Sequence, residues 1–590
     1  PQNPNHLYAL FTIGFYNDLN QLRDYNVILK QSLDAGATWS EIALPYNWAN
    51  IPWHALSMAI DPLNENKILI GALNVYALNN TASPTILPND WIMLSYWGAK
   101  YYFDDPNLLQ EDRDYFRQIY VHGDIHDIQY FNLDSDNILI TTDGGVFQSS
   151  DISLTGSYNP ETPRVGIPSF FPLNNALNTT QYYYATINPT KGSYNFIGGT
   201  QDNGSIMTIN NNGAIEESMI SGGDGGFCFW DRDDPSLKIT SVYGNRYYIH
   251  ANGNVYFTPE IDGLFVNPGV YDDEANLIYS NAASSSNGGL YANLLGRYYD
   301  SLRVVNVNKF IGKPDLGLDT SSYIPLNTGI QEAITALKLS PHSSPENRTL
   351  FIGTEYGKVF KIEGLPYNPS STRIDNNQIN QGYISSIDVG KDNSKILVTI
   401  SNYGLSSVYN TRNGGDDWTN LELNLPDIPV RWGLYNPFDD AKIMLATELG
   451  VWGLEDLLNP TERWQSYNLG LPQIRIDMID IRKEDSTILA ATHGQGLYYG
   501  KFDQGNPVIL GNEISSPKEL FYPNPFNSTI YLHNNQVKMV MIYDTNGRLV
   551  YKEKLLDNSV NLTSLNSGIY IIHGIDEKEK VLITQKLIKY

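Results

Sequence analysis

The chain has 590 residues, of which 41% are hydrophobic and 12% aromatic, and its formal net charge is −25. A charge of this sign repels nucleic-acid phosphates and anionic lipid headgroups, so neither nucleic acid nor a membrane surface is an expected partner. Cys228 is the only cysteine, which excludes an internal disulfide and a metal site built from cysteines. Its neighbours in the run 227–230 are aromatic, which predicts a buried structural thiol. No apolar run reaches the ~18 residues of a membrane-spanning helix.

A short phrase recurs along most of the chain: an apolar run, a small residue, a turn containing glycine and a second apolar run. Equivalent positions in the second half, Thr354, Ile400, Thr447 and Thr492, are 46, 47 and 45 residues apart. A period of this length built from short strands is typical of four-stranded propeller blades. We therefore predict an all-β fold, a multi-bladed β-propeller with about ten blade repeats in residues 1–505. The clearest copies of the phrase are 68–72, 138–147, 196–204, 350–357, 396–404, 443–450 and 488–494.

Two copies of a second motif lie on this repeat. The first reads Ser-x-Asp-x-Gly-x-Thr-Trp, and the second has Asn and Asp where the first has Asp and Thr. The Asp or Asn side chain is expected to accept hydrogen bonds from the backbone of a tight hairpin, the glycine to adopt a positive φ, and the tryptophan to pack into the blade. The motif therefore predicts structure and not chemistry. Its residues are Ser32, Asp34, Gly36 and Trp39 in the first copy, and Thr411, Asn413, Gly415 and Trp418 in the second.

Through this motif the chain resembles the Asp-box propellers of the sortilin and family 74 glycosidase type, over nearly all of residues 1–505. The phrases 122–127, 199–204 and 222–226 are similar to segments of bacterial members. The resemblance implies either one ring of ten blades, as in sortilin-type propellers, or two rings of seven, as in the glycosidases. Ten repeats favour one ring, and two rings stay open if residues before Pro1 were lost.

The resemblance to the glycosidases makes Asp143 and Asp224 candidate catalytic carboxylates, because each lies in a glycine-rich turn. Hydrolysis of a glycoside needs two carboxylates ~5–10 Å apart. In family 74 each of two propellers supplies one of them, whereas these two residues are only 81 positions apart, less than two blades. This mismatch makes a structural role in the two turns the favoured interpretation.

Residues 122–127 also contain side chains that could bind a metal ion. Residues two apart share one face of a strand, so His122, Asp124 and His126 would converge. Because a further ligand is not identifiable, hydrogen-bonded channel residues are the favoured interpretation, and neither a metal site nor a cofactor is predicted. Asp202 and Asp224 could bind Ca²⁺ through turn oxygens, but no calcium-loop motif accompanies them.

The repeated sequence pattern ends at about residue 505. We predict a linker over 506–518 and a small Ig-like β-sandwich over 519–590, built from short strand-like runs with a hairpin turn at Asn546-Gly547. This tail resembles the type A C-terminal sorting domain of the type IX secretion system of Bacteroidetes. The resemblance is carried by Tyr522, Pro523, Asn524, Pro525, Gly547, Gly568, Tyr570, Lys586 and Lys589.

The tail's resemblance implies a route. It predicts export through the periplasm, passage through the type IX translocon, capture by an outer-membrane shuttle barrel, and release or attachment at the cell surface. The protein is thus expected to be extracellular or associated with the outer surface of the outer membrane. Because such tails are normally removed after export, a chain running from Pro1 to Tyr590 is expected to be a trimmed product that still awaits tail cleavage.

Three functions stay open for the propeller. It could be a binding or adhesion platform for a glycan or protein ligand, a secreted glycoside hydrolase related to family 74 xyloglucanases, or a structural component of a surface layer or fibre. The platform is favoured over an enzyme, because the most specific motifs build turns. Direct membrane insertion is not expected.

Overall fold

The computed structural model describes residues 3–16, 22–103, 105–131, 134–152, 168–174, 177–211, 214–259, 261, 263–283, 299–314, 316–468, 470–501, 509–511, 521–522, 528–532, 537–544, 548–555, 559–576 and 581–589. In this part of the chain, ten antiparallel sheets follow one another from Leu7 to Gly511, each made of strands adjacent in sequence. Sheet 1 has three strands and sheets 2 to 10 have four. The prediction of an all-β chain built from four-stranded units is confirmed.

The first five sheets have these strands: Leu7–Tyr16, Leu22–Ser32 and Ser40–Ile42 in sheet 1; Ser57–Ile60, Ile68–Gly71, Val75–Leu78 and Ile92–Met93 in sheet 2; Ile125–Tyr130, Ile138–Thr142, Gly145–Ser149 and Phe171–Pro172 in sheet 3; Tyr182–Ile187, Phe196–Thr200, Gly204–Asn211 and Ala214–Ser221 in sheet 4; Gly225–Trp230, Lys238–Val242, Arg246–Ala251 and Asn254–Phe257 in sheet 5.

The next five sheets have these strands: Gly269–Asp272, Leu277–Asn281, Ser301–Asn306 and Ser321–Pro325 in sheet 6; Ile334–Leu339, Arg348–Thr354, Val359–Leu365 and Ser370–Arg373 in sheet 7; Ile384–Val389, Ile396–Ile400, Val408–Thr411 and Thr419–Asn420 in sheet 8; Val430–Asn436, Asp439–Thr447, Gly450–Leu454 and Gln465–Ser466 in sheet 9; Ile476–Arg482, Thr487–Thr492, Leu497–Lys501 and Ile509–Gly511 in sheet 10.

Helices are few and short in the described residues. The α-helices are Gln110–Ile119, inserted between sheets 2 and 3, and Asn308–Ile311, and the 3₁₀ helices are Pro88–Asp90, Trp97–Tyr102 and Lys483–Asp485. None of the described helices is long and apolar enough to span a lipid bilayer.

Most consecutive sheets are joined by apolar seams. Between sheets 7 and 8, for example, Phe351 and Val359 pack with Ile384 and Val398, and all four are fully buried. Burial of one such side chain contributes ~1.5–3 kcal/mol, so each seam of ten or so residues is a substantial source of stability. The repeated apolar runs of the sequence are the strands that supply these seams.

The contacts of sheet 4 close a cycle of seven sheets. Its first strand contacts the first strand of sheet 5 on one side and the first two strands of sheet 10 on the other. Tyr182 and Phe196 of sheet 4 share an apolar cluster with Met478 and Leu489 of sheet 10. Sheets 4 to 10 therefore form one closed cycle, and sheets 1 to 3 lie outside it. The expectation of a single ring of ten is wrong, because the fourth and tenth sheets pack on each other.

This closure is supported by an asparagine clamp, our name for an asparagine side chain that binds the turn between the second and third strands of a sheet. In sheet 9, Asn468 accepts a hydrogen bond from Val451 N (2.8 Å) and donates one to a carbonyl of the turn between the second and third strands. Asn174 makes the same pair of bonds in sheet 3. The corresponding turn of sheet 10 is bound by Asn178, whose Nδ2 donates to Gln495 O at 2.6 Å. The asparagine that binds sheet 10, the last sheet of the cycle, thus belongs to the segment that leads into sheet 4, the first sheet of the cycle.

The first Asp-box segment forms the expected turn. Ser32 Oγ donates to Asp34 Oδ1 (2.8 Å), which also accepts from Thr38 N (2.8 Å), and Gly36 has a φ of 91°. These hydrogen bonds, led by that of Thr38 Oγ1, lower the pKa of Asp34 to about 2. The side chain of Trp39 differs from the prediction: it is 42% exposed and donates to Gly36 O within its own turn.

The second segment forms the same turn with a buried tryptophan. Asn413 Oδ1 accepts from Thr411 Oγ1 (2.8 Å) and Asp417 N (3.0 Å), and Gly415 has a φ of 103°. Trp418 is buried, and its Nε1 donates to a backbone carbonyl that follows sheet 7. The two tryptophans differ because Trp418 packs with residues of sheet 7 and the segment after it, whereas Trp39 bonds within its own turn.

At the end of the third strand of sheet 3, a serine and an aspartate make a similar hydrogen bond, which the sequence analysis did not identify. Ser149 Oγ donates to Asp151 Oδ1 at 2.9 Å, and the same carboxylate oxygen accepts from Ser169 N at 2.9 Å. The segment shares Ser-x-Asp with the first copy, but glycine and tryptophan do not follow at the spacing of the first two copies.

Two further sheets form the tail. Sheet 11 contains Phe521–Tyr522, Thr529–Leu532 and Ser559–Asn561, and sheet 12 contains Met539–Asp544, Leu549–Lys554, Gly568–Ile575 and Val581–Lys589. Ile530 and Val560 of sheet 11 share a buried apolar cluster with Val540, Ile572 and Leu587 of sheet 12. The tail is thus two packed antiparallel sheets, and the boundaries predicted for the linker and the sandwich stay predictions.

Most described residues of the sorting signal have structural roles. Gly568 begins a strand, and Tyr570 OH donates to Asn566 O at 2.8 Å. Lys589 is buried, and its Nζ donates to the carbonyls of Leu562 (2.6 Å), Thr563 (3.2 Å) and Leu565 (2.7 Å). Tyr522 lies in the first strand of the tail, and Lys586 lies in the last, where only its backbone is described. The remaining residues of the signal lie outside the described set: Pro523, Asn524, Pro525 and Gly547.

Candidate functional site

Sheets made of consecutive antiparallel strands bring two kinds of segment to one edge: the segment that leads into the first strand and the turn between the second and third strands. At this edge of sheets 2 to 5, two histidines and four aspartates lie close together where sheet 3 meets sheet 4. We call these side chains the junction cluster: His54 before sheet 2, Asp124, His126 and Asp143 of sheet 3, Asp202 of sheet 4, and Asp224 before sheet 5.

Asp143 is the centre of the cluster on the side of sheet 3. Its Oδ1 lies 2.6 Å from His126 Nε2, and its Oδ2 lies 3.2 Å from His54 Nε2. The two imidazole rings meet edge to face with their centroids 5.0 Å apart. The side chains of His54 and His126 are 46% and 36% exposed, so solvent and ligands reach this group.

Hydrogen bonds connect this group to sheets 4 and 5. Asn203 Nδ2 donates to Asp143 O at 2.9 Å, and His122 Nε2 lies 3.2 Å from Asp202 O. Asp202 N in turn donates to Asp224 Oδ1 at 2.8 Å. The junction between sheets 3 and 4 is therefore polar, and in the described residues no hydrophobic cluster bridges these two sheets.

Two glycine-rich phrases flank the junction because backbones approach closely there. A Cβ on Gly199 would lie 2.1 Å from Gly226 O, and one on Gly225 would lie 2.4 Å from Gly204 O. Only glycine permits this contact between sheets 4 and 5. The phrases 199–204 and 222–226 thus have a packing role, which places Asp202 and Asp224 beside each other.

The carboxylates of the cluster influence one another. Burial, followed by the charges of Asp224 and Asp143, raises the pKa of Asp202 to about 7. Burial and the charge of Asp143 also raise the pKa of Asp124. Burial lowers the pKa of the nearby Lys100, and the negative charge of Asp202 acts in the opposite direction. Asp202 can therefore hold or release a proton near neutral pH.

Two exposed aromatic side chains adjoin residues of the cluster or of its surroundings in the chain. Trp53, next to His54 in the chain, is 56% exposed and meets Tyr25 edge to face at 4.7 Å. Tyr101, next to Lys100 in the chain, is 62% exposed and contacts Trp97, which packs beside Gly123. Trp53 and Tyr101 thus each adjoin in the chain a residue that interacts with the cluster.

In the structure, the two predicted carboxylates lie on either side of a third carboxylate. Asp143 and Asp224 both belong to the junction cluster, and Asp202 lies between them. His122 belongs to neither group of potential metal ligands in the described residues, whereas His126 and Asp124 belong to one group each. His122 is buried and bonded to backbone carbonyls, because Asp124 has a φ of 58° and the first strand begins only at Ile125, so strand alternation does not extend to His122.

Sequence reasoning missed His54 and gave Asp202 only a calcium role. His54 lies in the connection between sheets 1 and 2, far from any motif, so no local signal marks it. Asp202 lies two residues before the third strand of sheet 4, as Asp143 does in sheet 3, in the turn between the second and third strands. Alignment of the repeats could therefore have found it.

Comparison with known proteins identifies one domain. Residues 520–590 match the family model described as the secretion system C-terminal sorting domain. Comparison with curated proteins gives no match.

Two solved structures resemble the chain at low similarity. They are extracellular domains of BT4673 from B. thetaiotaomicron, one described as a hybrid two-component system and the other as a one-component system. Each has 12% sequence identity and a TM-score of 0.38; the matches cover 95% and 99% of this chain, and 72% and 81% of the other. We infer neither fold nor function from likeness at this level.

The domain match gives the route of the protein. Its position at residues 520–590 agrees with the tail predicted from the YPNP segment and the last basic residues. A domain of this kind interacts with the type IX secretion machinery. The chain is therefore a cargo protein of the type IX secretion system, exported to the cell surface or the extracellular space.

Proposed function

We propose that sheets 4 to 10 form a seven-bladed β-propeller and that sheets 1 to 3 are blades of an adjoining array. The closed cycle of contacts, the apolar seams and the asparagine clamp on sheet 10 support this architecture. The turns at Asp34 and Asn413 have the hydrogen bonds expected of Asp boxes, which supports a relationship to that class of propeller.

The propeller is a binding platform for an extracellular glycan, and the junction cluster is its ligand site. One observation carries this proposal: carboxylates and histidines from four sheets lie close together at one edge of the sheets, and the exposed ring of Trp53 adjoins His54 in the chain. Aromatic faces stack on the apolar faces of sugars, and carboxylates accept hydrogen bonds from sugar hydroxyls. Sites of this kind combine apolar surfaces with a few polar groups that orient the ligand.

A glycan array followed by calorimetry tests the platform. Trp53→Ala and Asp143→Asn are each expected to weaken binding about tenfold, the loss of one stacking or hydrogen-bonding group worth ~1.4 kcal/mol. Tyr367→Ala is the matched control: this tyrosine is 52% exposed but lies in the turn between the third and fourth strands of sheet 7, at the opposite edge. Absence of glycan binding, or equal weakening by all three variants, would contradict the proposal.

A glycoside hydrolase is the second candidate, because two carboxylates from neighbouring sheets face each other. The ligand oxygens of Asp143 and Asp202 lie within 4.8 Å. Retaining glycosidases hold their carboxyl groups ~5–5.5 Å apart, whereas inverting enzymes need ~6.5–9.5 Å to admit water. The geometry of this pair therefore suits a retaining enzyme better than an inverting one.

Release of reducing ends from a panel of polysaccharides distinguishes the two candidates. A binding platform releases none. If the protein does release them, and Asp143→Asn, Asp202→Asn or Asp224→Asn abolishes the release, the enzyme replaces the platform as the function. If release persists in all three variants, the junction cluster is not its source.

A further inference from the structure

The group formed by His54, His126 and Asp143 has the chemistry of a metal site. Two imidazole nitrogens and a carboxylate oxygen, from three separate segments, all lie within 4.8 Å of one another. We propose that these three side chains bind a divalent transition-metal ion such as Zn²⁺. The proposal is independent of the glycan ligand, because it depends only on these donors.

The donors face one another in the way such a site requires. Both histidines direct Nε2 at Asp143, at 2.6 Å from Oδ1 and 3.2 Å from Oδ2. Donors that share one ion at bond lengths of ~2.0–2.2 Å lie ~3–3.5 Å apart, so the observed group needs only small side-chain rotations. Two imidazoles and one carboxylate suit zinc and other first-row metals, whereas Ca²⁺ and Mg²⁺ prefer oxygen donors alone.

The surroundings favour a cation at this position. Asp124 and Asp202 direct carboxylate oxygens to within 4.8 Å of Asp143, which forms a second group beside the first. Asp124 Oδ1 is buried and has no hydrogen-bond partner in the structure. A buried carboxylate oxygen without a partner is costly, and a dication between these carboxylates would offset their repulsion.

The exposure of the group allows exchange with solvent and leaves coordination positions open. With about a third to a half of each histidine side chain exposed, three protein donors do not enclose an ion. A three-donor site of this kind keeps at least one position for water or a ligand oxygen. The ion would thus lie at the surface that joins sheets 2, 3 and 4.

Calorimetry with Zn²⁺ on the full chain, first freed of metal with a chelator, tests the site. One equivalent is expected to bind, and His126→Ala, His54→Ala and Asp143→Asn are each expected to weaken binding on the order of 100-fold. The matched control is His342→Ala, because His342 is exposed and faces only a backbone carbonyl, Gly390 O at 2.8 Å. This variant is expected to bind Zn²⁺ like the parent.

Co²⁺ titration adds a readout that does not depend on stability. Visible absorption of bound Co²⁺ is expected in the parent and in His342→Ala, and is expected to disappear in His126→Ala. Unchanged melting temperatures without metal show that the variants are folded. The proposal is overturned if Zn²⁺ does not bind at millimolar concentration, if the three variants bind like the parent, or if only Ca²⁺ binds and the histidine variants leave it unaffected.

Discussion

The junction between sheets 3 and 4 differs in chemistry from the seams between the other consecutive sheets. The seams are apolar clusters of buried isoleucine, leucine, valine and aromatic side chains, whereas the described contacts at the junction are hydrogen bonds around Asp143 and Asp202. Apolar seams hold the sheets together. The polar junction instead leaves charged groups of the junction cluster accessible to solvent.

The largest expected effect is the loss of a seam residue. Phe351→Ala removes a fully buried ring between sheets 7 and 8 and is expected to lower the free energy of unfolding by ~3–5 kcal/mol. Urea denaturation measures it. Phe171→Ala, at a 58% exposed ring in sheet 3, is the control, with an expected change of about 0.5 kcal/mol. Equal losses would mean that the seams are not the main source of stability.

The seam that closes the cycle is expected to depend on one buried arginine. Arg482 donates to Asn188 O (2.7 Å) and Ser193 O (2.8 Å) of sheet 4 and pairs with Asp485. Arg482→Met leaves buried acceptors unpaired and should cost about 3 kcal/mol in urea denaturation. Arg232→Met, whose side chain is 75% exposed, should cost less than about 1 kcal/mol. If both variants unfold alike, the closure does not rest on this residue.

A smaller effect is expected from a residue of the junction itself. Asn203→Ala removes the hydrogen bond from Asn203 Nδ2 to Asp143 O and should cost only ~1 kcal/mol of global stability. The loss of free energy of binding for a ligand or metal should exceed the loss of free energy of unfolding, because this hydrogen bond orients the turn that carries Asp143. A loss as large as that of Phe351→Ala would show that the junction is structural after all.

A different kind of effect is a pH dependence within the cycle. Burial, followed by the charge of Lys238, lowers the pKa of His250 from 6.5 to about 4. The unfolded chain therefore takes up this proton first as the pH falls, which favours unfolding. The contribution of His250 to stability is complete above pH 6.5 and is lost between pH 6.5 and 4. His250→Gln should show a shallower decline in this window, measured as melting temperature against pH; an identical decline would contradict the assignment.

The sequence predicts the sheets well because each strand is a local pattern. Runs such as Leu350–Gly353 and Ile488–Ala491 fix the strands, and their spacing indicates the four-stranded units. The number of sheets in the cycle is not a local property, because the seven sheets share the same phrase as the three before them. The best available signal was Asn178, which matches Asn468 in role but acts on a sheet more than 300 positions away.

For the same reason, the sequence predicts some residues of the candidate site and not others. Asp143 and Asp224 lie in turns that a motif marks, so sequence reasoning selected them. Their approach depends on how sheet 3 meets sheet 4, and His54 joins them from a connection without a pattern. Packing between sheets, which no short motif encodes, decides which side chains share the site.

The asparagine clamp has a consequence for the order of folding. Asn178 and the turn that it binds are 317 positions apart, and the entropy cost of closing a loop rises with its length. Contacts between successive sheets form over short loops, so this distant contact is expected to form last. Asn174 fastens sheet 3 only four positions earlier in the same segment. We therefore expect the segment between sheets 3 and 4 to be fastened by both asparagines only after the tenth sheet is in place.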